Sequence, residues 1–453
     1  MVIIKRLNLL VLIVFCIFCF TGCNIWMGNI DGLLSPPKLS TQQQQIYQAL
    51  TSSIDTKISL KYPRTGDYLS AFIVADFDDE PTEEAIVFYE KTGITADETS
   101  LRINMLDQED GKWKSIFDKS ADGSEVDTVI ISKLGQNDDV SIIVGYNMMQ
   151  GDKQVNIYKY VKEVDTGNRK LVETFSDTYS IMNVEDVDND GYNELFLVTG
   201  NSASSYAEAK ILKADDSNKY IRTRVAMDSN SMDYTQCLYS SNNDDTSGSK
   251  EIFVDSVIAT NMIETEILYL DTYNDSLIIA NASNDENVLL GNTIRPSGYN
   301  SCDIDNDGIV EIPVITTFTG YEKLSDTEQL KMTKWLTYKN QSLVVKYEGY
   351  YSINDGYFFA LPERWKNKVT LKFDSARNDM VFYEYNENLD NSSVELLRLT
   401  VSEEQNMENI QKNGYQLMRT NNGKYYFAKI SNNKTSNLEI SLAEVLFNLK
   451  INT

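Results

Sequence analysis

The stretch Asp186-Val187-Asp188-Asn189-Asp190-Gly191-Tyr192-Asn193-Glu194-Leu195-Phe196-Leu197-Val198 joins a short acidic loop to an apolar run. Acids stand at loop positions one, three, five and nine, and a glycine stands at position six. A glycine allows the positive φ that a tight turn needs. The four apolar residues after position nine are typical of a β-strand. The stretch therefore predicts an acidic turn that leads directly into a buried strand.

Two more loops share this pattern. Asp303-Ile304-Asp305-Asn306-Asp307-Gly308 has Glu311 at position nine and repeats both the acids and the glycine. Asp76-Phe77-Asp78-Asp79-Glu80 has Glu84 at position nine, but Pro81 replaces the glycine. An apolar run follows position nine in each case, so each loop is predicted to precede a strand.

The loops belong to a longer repeat. Weaker copies of the pattern stand between them at Asp139 and Glu251, so that the equivalent positions are 84, 139, 194, 251 and 311. These positions are 55, 55, 57 and 60 residues apart, which is close to the period of long propeller blades. Short apolar runs and polar turns alternate from residue 68 to residue 350. The sequence therefore predicts an all-β propeller with five detected repeats, and a divergent blade without a loop would escape this count.

The carboxylates of the loops suit calcium, a hard cation that takes about six to eight oxygen ligands. An EF-hand places a glutamate at position twelve, but here Val87, Leu197 and Val314 hold that position. The loops are therefore not EF-hands. An alternative interpretation is that they are solvated acidic turns, because the chain has 67 acidic residues.

A last acid at position nine followed at once by a strand resembles the calcium loops of FG-GAP and VCBS-type β-propellers, as in integrin-like heads. The resemblance rests mainly on the second and third loops, whereas the first loop departs from the pattern. It implies calcium in a structural role, bound by four acids in each loop. These acids are Asp186, Asp188, Asp190 and Glu194; Asp303, Asp305, Asp307 and Glu311; and Asp76, Asp78, Glu80 and Glu84.

The N-terminal residues form a secretion signal. Lys5 and Arg6 precede the apolar stretch Leu7–Phe20, which is shorter than the roughly 20 residues that span a bilayer. The small residues before Cys23 resemble the lipobox of bacterial lipoproteins. The resemblance implies that residues 1–22 are a lipoprotein signal peptide and that Cys23 carries a lipid. We therefore expect an extracytoplasmic lipoprotein, anchored to the membrane at the bacterial cell surface.

The rest of the chain divides into three parts. Residues 23–66 are predicted to form the anchor, a spacer and one short helix that begins near Ser40. Residues 67–351 hold the propeller repeats. Residues 352–453 show a different pattern of strands and helices, and they are predicted to form a small α+β domain.

Two capping boxes mark helix starts in this last domain. The first pairs Ser402 with Gln405, and the second pairs Ser441 with Glu444. In such a box the serine side chain and the acid or amide three residues later satisfy backbone N–H groups at the start of a helix. Each box therefore predicts a helix.

Composition excludes several classes of function. The chain has 67 acidic and 41 basic residues, a formal net charge of -26, which argues against nucleic acid as a partner. It has no histidine, which excludes serine–histidine triads and histidine zinc sites. Cys237 and Cys302 remain after processing and lipidation, and the sequence leaves open whether they form a disulfide.

Two hypotheses for function remain. The first is a binding or scaffold lipoprotein whose calcium-stiffened propeller presents a surface to an extracellular protein or polysaccharide. The second is a surface carbohydrate-active enzyme that uses two carboxyl groups about 5 to 10 Å apart. The enzyme hypothesis requires two acids from different blades, outside the loops, at the mouth of the central channel.

Overall fold

A computed structural model describes residues 39–451, except for residues 79, 93–100, 137–138, 150, 152, 164–168, 203–205, 216–218, 241–247, 281–292, 393, 404–406 and 432–436. The predicted signal peptide, the lipidation site Cys23 and the spacer lie outside the described residues. Strands dominate the described chain and form six antiparallel sheets. In this part of the chain, no helix is both long enough and apolar enough to cross a membrane.

The first three sheets follow one another along the chain. Sheet one contains β1 (Ile58–Lys61), β2 (Phe72–Ala75), β3 (Glu84–Lys91), β4 (Leu101–Glu109) and β5 (Lys112–Ser120). In this sheet β1 and β2 pair with successive halves of β3. Sheet two contains β6 (Glu125–Lys133), β7 (Val140–Asn147), β8 (Lys153–Lys162) and β9 (Arg169–Tyr179). Sheet three contains β10 (Ile181–Glu185), β11 (Glu194–Thr199), β12 (Glu208–Ala214) and β13 (Tyr220–Ala226).

Two further sheets continue this order. Sheet four contains β14 (Asp233–Ser240), β15 (Glu251–Ala259), β16 (Met262–Asp271), β17 (Ser276–Ile279) and the short β18 (Arg295–Pro296), which pairs with β16. Sheet five contains β19 (Glu311–Thr317), β20 (Lys331–Lys339), β21 (Ser342–Ser352) and β22 (Tyr357–Ala360). An isolated antiparallel bridge joins Cys302 to Glu311 at the β19 edge of sheet five.

The equivalent positions of the five repeats all lie at the start of one particular strand. This is the second strand of sheets two, three and four. In sheet one it is the strand that pairs with both β1 and β2, and in sheet five it is the first strand, which also forms the bridge with Cys302. The residues concerned are Glu84, Glu194, Glu251 and Glu311, which begin β3, β11, β15 and β19, and Asp139, which directly precedes β7.

The five sheets stack face to face. In β11, Leu195 and Leu197 pack against sheet two, whereas Phe196 and Val198 pack against sheet four. Successive side chains of a strand point to opposite faces, so a strand that is covered on both faces needs a continuous apolar run. The runs that follow the acidic loops are therefore strands packed between two neighbours.

A helix covers the free face of sheet one. Helix α1 (Thr41–Ser52) packs Ile46 and Leu50 against that face. Ser40 caps α1 in a capping box with Gln43, which confirms the predicted helix. No hydrophobic cluster of the described residues joins sheet one to sheet five. Closure of the stack into a propeller ring therefore stays a prediction.

The C-terminal part packs against sheet five. Sheet six contains β23 (Val369–Asp374), β24 (Asp379–Glu384), β25 (Glu395–Glu403), β26 (Gln416–Asn421) and β27 (Lys424–Ile430). Helix α2 (Met407–Lys412) follows β25, and helix α3 (Leu442–Asn448) leads into β28 (Leu449–Ile451). β28 pairs with β22, so the predicted domain boundary at residue 352 falls before two strands of sheet five. A shared core that includes Phe359, Trp365 and Phe382 joins the two sheets.

The two predicted capping boxes differ in outcome. Ser441 and Glu444 form the second box at the start of α3, which confirms that helix. Ser402 does not cap a helix, because it lies inside β25, where it pairs with Tyr425 of β27. Its predicted partner Gln405 lies outside the described residues. Pairing with β27 thus extends the strand through the predicted helix start, but the predicted helix itself is present from Met407 to Lys412.

Leu50→Ala tests whether α1 is a packed cover of sheet one. Leu50 is fully buried against that sheet. The substitution should lower the free energy of unfolding by about 2–5 kcal/mol, because the neighbours collapse only partly into the cavity. Urea denaturation measures this change. Gln45→Ala, at an exposed position of the same helix, is the control and should have an effect below about 0.5 kcal/mol. Equal effects of the two substitutions would contradict the packing.

Candidate metal-binding loops and a polar cleft

The same hydrogen bond closes each of the three acidic loops. The backbone N–H of the apolar residue at position two donates to Oε2 of the glutamate at position nine, over 2.9 Å in each loop. The pairs are Phe77 with Glu84, Val187 with Glu194, and Ile304 with Glu311. The side chain at position two is buried in a hydrophobic cluster. Each turn is therefore held by the core and by a carboxylate together.

The three glutamates are fully buried. Burial raises the pKa of Glu84 and of Glu311 to about 7, and that of Glu194 to about 8, because water no longer solvates the charge. A nearby positive charge is therefore needed to keep these carboxyl groups ionised at neutral pH.

Three carboxylates converge in each loop, with one oxygen of each within 4.8 Å of the others. The three groups are Asp76, Asp78 and Glu84; Asp186, Asp188 and Glu194; and Asp303, Asp305 and Glu311. The acid at position five stays outside these groups. Glu80 pairs with Arg169, Asp190 accepts the N–H of Tyr192, and Asp307 accepts the N–H of Ile309 and pairs with Lys346. The structure thus brings together three of the four predicted ligands in each loop.

The second loop has the features of a divalent-cation site. Oδ1 of Asp186 and Oε1 of Glu194 are buried and have no hydrogen-bond partner. An unpaired buried oxygen of this kind is costly, and a cation between the two would satisfy both. Lys213 makes one contact with the group, 3.2 Å from Asp188. The donors are all oxygens, which calcium prefers.

A lysine holds the carboxylates of the third loop. Nζ of Lys346, in β21, lies 3.1 Å from Asp305, 2.6 Å from Asp307 and 2.7 Å from Glu311. The Tyr347 hydroxyl donates to Asp305 over 2.6 Å. The ammonium group therefore supplies the positive charge that a metal ion would supply, and the third loop does not fit a cation unless Lys346 leaves.

An arginine plays a similar part in the first loop. Arg169, in β9 of sheet two, pairs with Glu80 and Asp107 and lies 3.6 Å from Asp78. These contacts join the loop of sheet one to its neighbouring sheet. Oε1 of Glu84 remains buried without a partner, so the first loop is only partly neutralised.

A polar cleft lies along the first strands of sheets two, three and four. It has a volume of about 690 Å³ and is lined by residues 65–68 and by parts of β6, β10 and β14. A second cleft of about 640 Å³ shares Lys153, Tyr179 and Ser180 with it. The two clefts therefore meet at these three residues.

A charged group occupies this junction. The Tyr179 hydroxyl donates to Oδ2 of Asp127 over 2.7 Å, and Nζ of Lys153 lies 3.0 Å from the same oxygen. A Cβ on Gly145 would lie 2.0 Å from the Tyr179 hydroxyl, so only glycine leaves room for this arrangement. Asp67 also lines the first cleft. Two acids from outside the loops are thus present there, and one of them is already paired.

Both cysteines are free thiols, so the disulfide that the sequence left open is not formed. Burial raises the pKa of Cys237 and of Cys302 to about 12, which keeps both in the protonated, unreactive form. Cys237 lines the first cleft. Neither thiol is therefore suited to nucleophilic chemistry.

Sequence reasoning missed the basic partners of the loops and the Asp127 group. Lys346 and Arg169 stand in strands far from the loops that they contact, and no local spacing connects them. A basic residue in a strand is usually solvent-exposed, so the presence of a lysine or an arginine there does not indicate a contact with a distant loop. The glycine at position 145 inside an apolar run was the one local hint of a close approach.

Comparisons with known proteins identify no family for this chain. No protein-family model matches it. No curated protein matches it either. Among solved structures, Sqt1 from Chaetomium thermophilum has 9% identity and a TM-score of 0.30, with 70% of this chain and 68% of that chain covered. The GH43 β-1,3-galactosidase BT3683 has 9% identity and a TM-score of 0.25, with 63% and 96% covered.

Fructan 1-exohydrolase IIa from Cichorium intybus is also similar, with 10% identity, a TM-score of 0.28, and 77% of this chain and 80% of that chain covered. All three TM-scores lie below 0.5. These similarities therefore carry no argument about the function of this chain.

Lys346→Met tests whether the lysine takes the place of a metal ion. In chelator the variant should lose about 1–3 kcal/mol of unfolding free energy, since three carboxylates lose their shared cation. Calcium should stabilise the variant more than it stabilises the wild type, because the vacated loop becomes a metal site. Thermal unfolding with calcium or chelator measures both effects. Lys334→Met, which removes only a 3.8 Å surface pair with Glu348, is the control. If calcium stabilised the variant no more than it stabilises the wild type, the idea that Lys346 takes the place of a metal ion would be wrong.

Proposed function

We propose that this chain is a calcium-stabilised binding module of the bacterial cell surface, with its five stacked sheets arranged as propeller blades and a lipid anchor on Cys23. Its proposed ligand is an extracellular polysaccharide. The observation that carries this proposal is the polar cleft along β6, β10 and β14. A concave site with convergent polar groups is the usual form of a ligand site.

The walls of the cleft favour a neutral, hydroxyl-rich ligand. Hydroxyl, amide and aromatic side chains line it, and such groups pair with sugar hydroxyls and cover sugar rings. They include Thr65, Tyr68, Thr128, Ser180, Asn183, Thr235 and Gln236. Lys153 neutralises Asp127, so the lining carries little net charge for an ionic ligand. Binding of a protein in place of a polysaccharide is the other outcome, and the experiments below distinguish the two.

Calcium at the second loop would act on the cleft through one strand. β10 lines the cleft, and the loop that begins at Asp186 follows β10 directly. Glu185 and Glu194 pair across β10 and β11, so a cation that fixes the loop also fixes the position of β10. The proposed role of calcium is therefore structural, and it supports the ligand site without touching the ligand.

A carboxylate-dependent carbohydrate enzyme is the second candidate, and the two acids in the cleft favour it. Asp67 and Asp127 both line the cleft, and a glycosidase needs an acid and a second carboxylate. Oδ2 of Asp127 is already bonded to the Tyr179 hydroxyl and to Lys153, so this oxygen is not free to contact a substrate. Release of sugar by the protein, abolished by Asp67→Asn, would establish the enzyme in place of the binding module.

Glu194→Gln tests the calcium site of the second loop. The substitution keeps the shape of the side chain but removes the charge, so calcium should bind this loop at least roughly tenfold more weakly. Isothermal titration with calcium measures the affinity. Glu109→Gln, which alters only an exposed pair with Lys114, is the control and should bind as the wild type does. If Glu194→Gln bound calcium with the wild-type affinity, the second loop would not be a calcium site.

Substitutions in the cleft test the ligand site. The chain from Asn24 onward is mixed with extracellular polysaccharide or with cell-surface protein, in calcium or chelator, and retained partner and released sugar are followed together. Lys153→Met and Tyr179→Phe should reduce polysaccharide retention by about tenfold, because each removes a polar contact at the junction of the clefts. Lys331→Met, in sheet five, is the control. Retention of protein alone, or polysaccharide retention that the cleft variants leave unchanged, would contradict the proposal.

A further inference from the structure

Strands β15 and β16 bury acidic side chains on both faces of sheet four, and the two faces differ in how the acids are neutralised. On the face toward sheet five, Arg295 lies 2.9 Å from Asp255, and both side chains are almost fully buried. Thr265 and Ser301 donate to the same carboxylate over 2.6 and 2.8 Å. This face holds a complete network of charge and hydrogen bonds.

The opposite face, toward sheet three, carries two acids without such a partner. Glu264 and Glu266 are 3% and 0% exposed. Glu266 accepts the backbone N–H of Asp228 over 2.8 Å and the Ser231 hydroxyl over 3.4 Å. No lysine or arginine among the described residues forms an ion pair with either acid. Glu264 and Glu266 are therefore buried together, the charge of Asp228 acts on both, and Arg295 on the far side of the sheet opposes only that of Glu264.

Glu264 ends a row of three side chains whose oxygens make no hydrogen bond of regular geometry. Tyr234 pairs with Ser256 across β14 and β15, and Ser256 pairs with Glu264 across β15 and β16. Direct cross-strand neighbours lie on the same face of a sheet, with Cβ atoms about 4.5–5.5 Å apart. The Tyr234 hydroxyl, the Ser256 hydroxyl and Oε1 of Glu264 are all buried and make no hydrogen bond of regular geometry, and the Tyr234 hydroxyl lies beside Ser231, which bonds Glu266.

Unpaired oxygens on three neighbouring side chains are not the usual state of a protein interior, where almost all buried polar atoms are bonded. The side chains are 7%, 0% and 3% exposed, so bulk water does not satisfy them. One ligand between the three would satisfy all of them at once. The negative charge of Glu264 and Glu266 requires that this ligand be positive.

We propose that Tyr234, Ser256 and Glu264, with Glu266 beside them, bind a calcium ion between sheets three and four. The donor set is entirely oxygen, which suits a hard cation, and calcium tolerates the irregular geometry that a flat row of side chains imposes. A charge of two balances the two carboxylates. Waters or backbone carbonyls complete the coordination, as is common for calcium.

A further observation agrees with this assignment. Tyr234 also lines the second cleft beside Met232 and Asp233, so the row begins at an opening through which an ion can enter. The site therefore has a path to solvent.

The site is separate from the acidic loops. Glu251 marks the loop end of β15, and Ser256 stands five residues farther along the strand, about 17 Å away. The proposal therefore does not depend on calcium at the second loop.

Calcium titration of the Glu194→Gln protein tests the site, because this background weakens calcium binding at the second loop and so separates the two sites in the measurement. One calcium ion should still bind. Tyr234→Phe and Ser256→Ala should each weaken that binding by roughly tenfold, and Glu264→Gln should abolish it. Tyr273→Phe, at a side chain that is 94% exposed, is the control and should leave the affinity unchanged.

Stability in chelator distinguishes a lost ligand from a damaged fold. The Tyr234 hydroxyl makes no hydrogen bond of regular geometry without the ion, so Tyr234→Phe should unfold in chelator at or above the wild-type temperature and lose stability relative to the wild type only in calcium. Absence of calcium binding in the Glu194→Gln background, or equal affinity in Tyr234→Phe, Ser256→Ala and the control, would overturn the proposal. Protons alone would then neutralise Glu264 and Glu266. If Glu264→Gln fails to fold, Tyr234→Phe and Ser256→Ala still show whether calcium binds at this site.

Discussion

The hydrogen bond from the second residue of an acidic loop to its ninth residue is the interaction on which the order of the repeats depends. It draws a glutamate into the core at the first residue of a strand, and it holds the apolar side chain of position two in the adjacent cluster. In sheet three it also fixes the register, since Glu185 and Glu194 become cross-strand partners. A shift of one residue would turn every side chain of the strand to the opposite face. The stacking of the sheets, in which each strand contacts one neighbour per face, therefore follows from the geometry of the turn.

The carboxylate that this bond buries needs a positive charge, and the molecule supplies it in different ways. In the third loop Lys346 of the same sheet contacts the buried glutamate, whereas in the first loop Arg169 of the neighbouring sheet contacts Asp78 and Glu80 and leaves Oε1 of Glu84 unpaired. The second loop keeps two unpaired oxygens. Sheet four shows the same contrast on its two faces, with Arg295 on one and unpaired oxygens on the other. A chain with 67 acidic and 41 basic residues has too few cations to pair each acid. A buried carboxylate without a basic partner is therefore balanced either by a proton or by a metal ion.

The elements that the sequence predicts well are those whose cause is local. The spacing of the loops gives the starts of the strands, because turn chemistry and an apolar run are adjacent in the chain. The boxes at Ser40 and Ser441 give two helix starts for the same reason. At Ser402 the equally local signal is wrong, because pairing with β27 outweighs it. Lys346 and Arg169 meet their loops only through the tertiary fold, so no spacing reports them. The row of Tyr234, Ser256 and Glu264 needs the register of three strands, which an isolated sequence does not contain.

The pairing of β28 with β22 has a consequence for biosynthesis. A ribosome makes β22 well before Leu449–Ile451, because all of sheet six lies between them in the chain. During that interval one edge of sheet five presents free N–H and C=O groups, and such an edge invites pairing with other chains. A nascent molecule that stalls within sheet six is therefore marked by an open strand, which chaperones and quality-control proteases are able to recognise. The last strand covers β22 and itself becomes the edge of sheet five, and an edge of only three residues is a poor template for pairing with another chain.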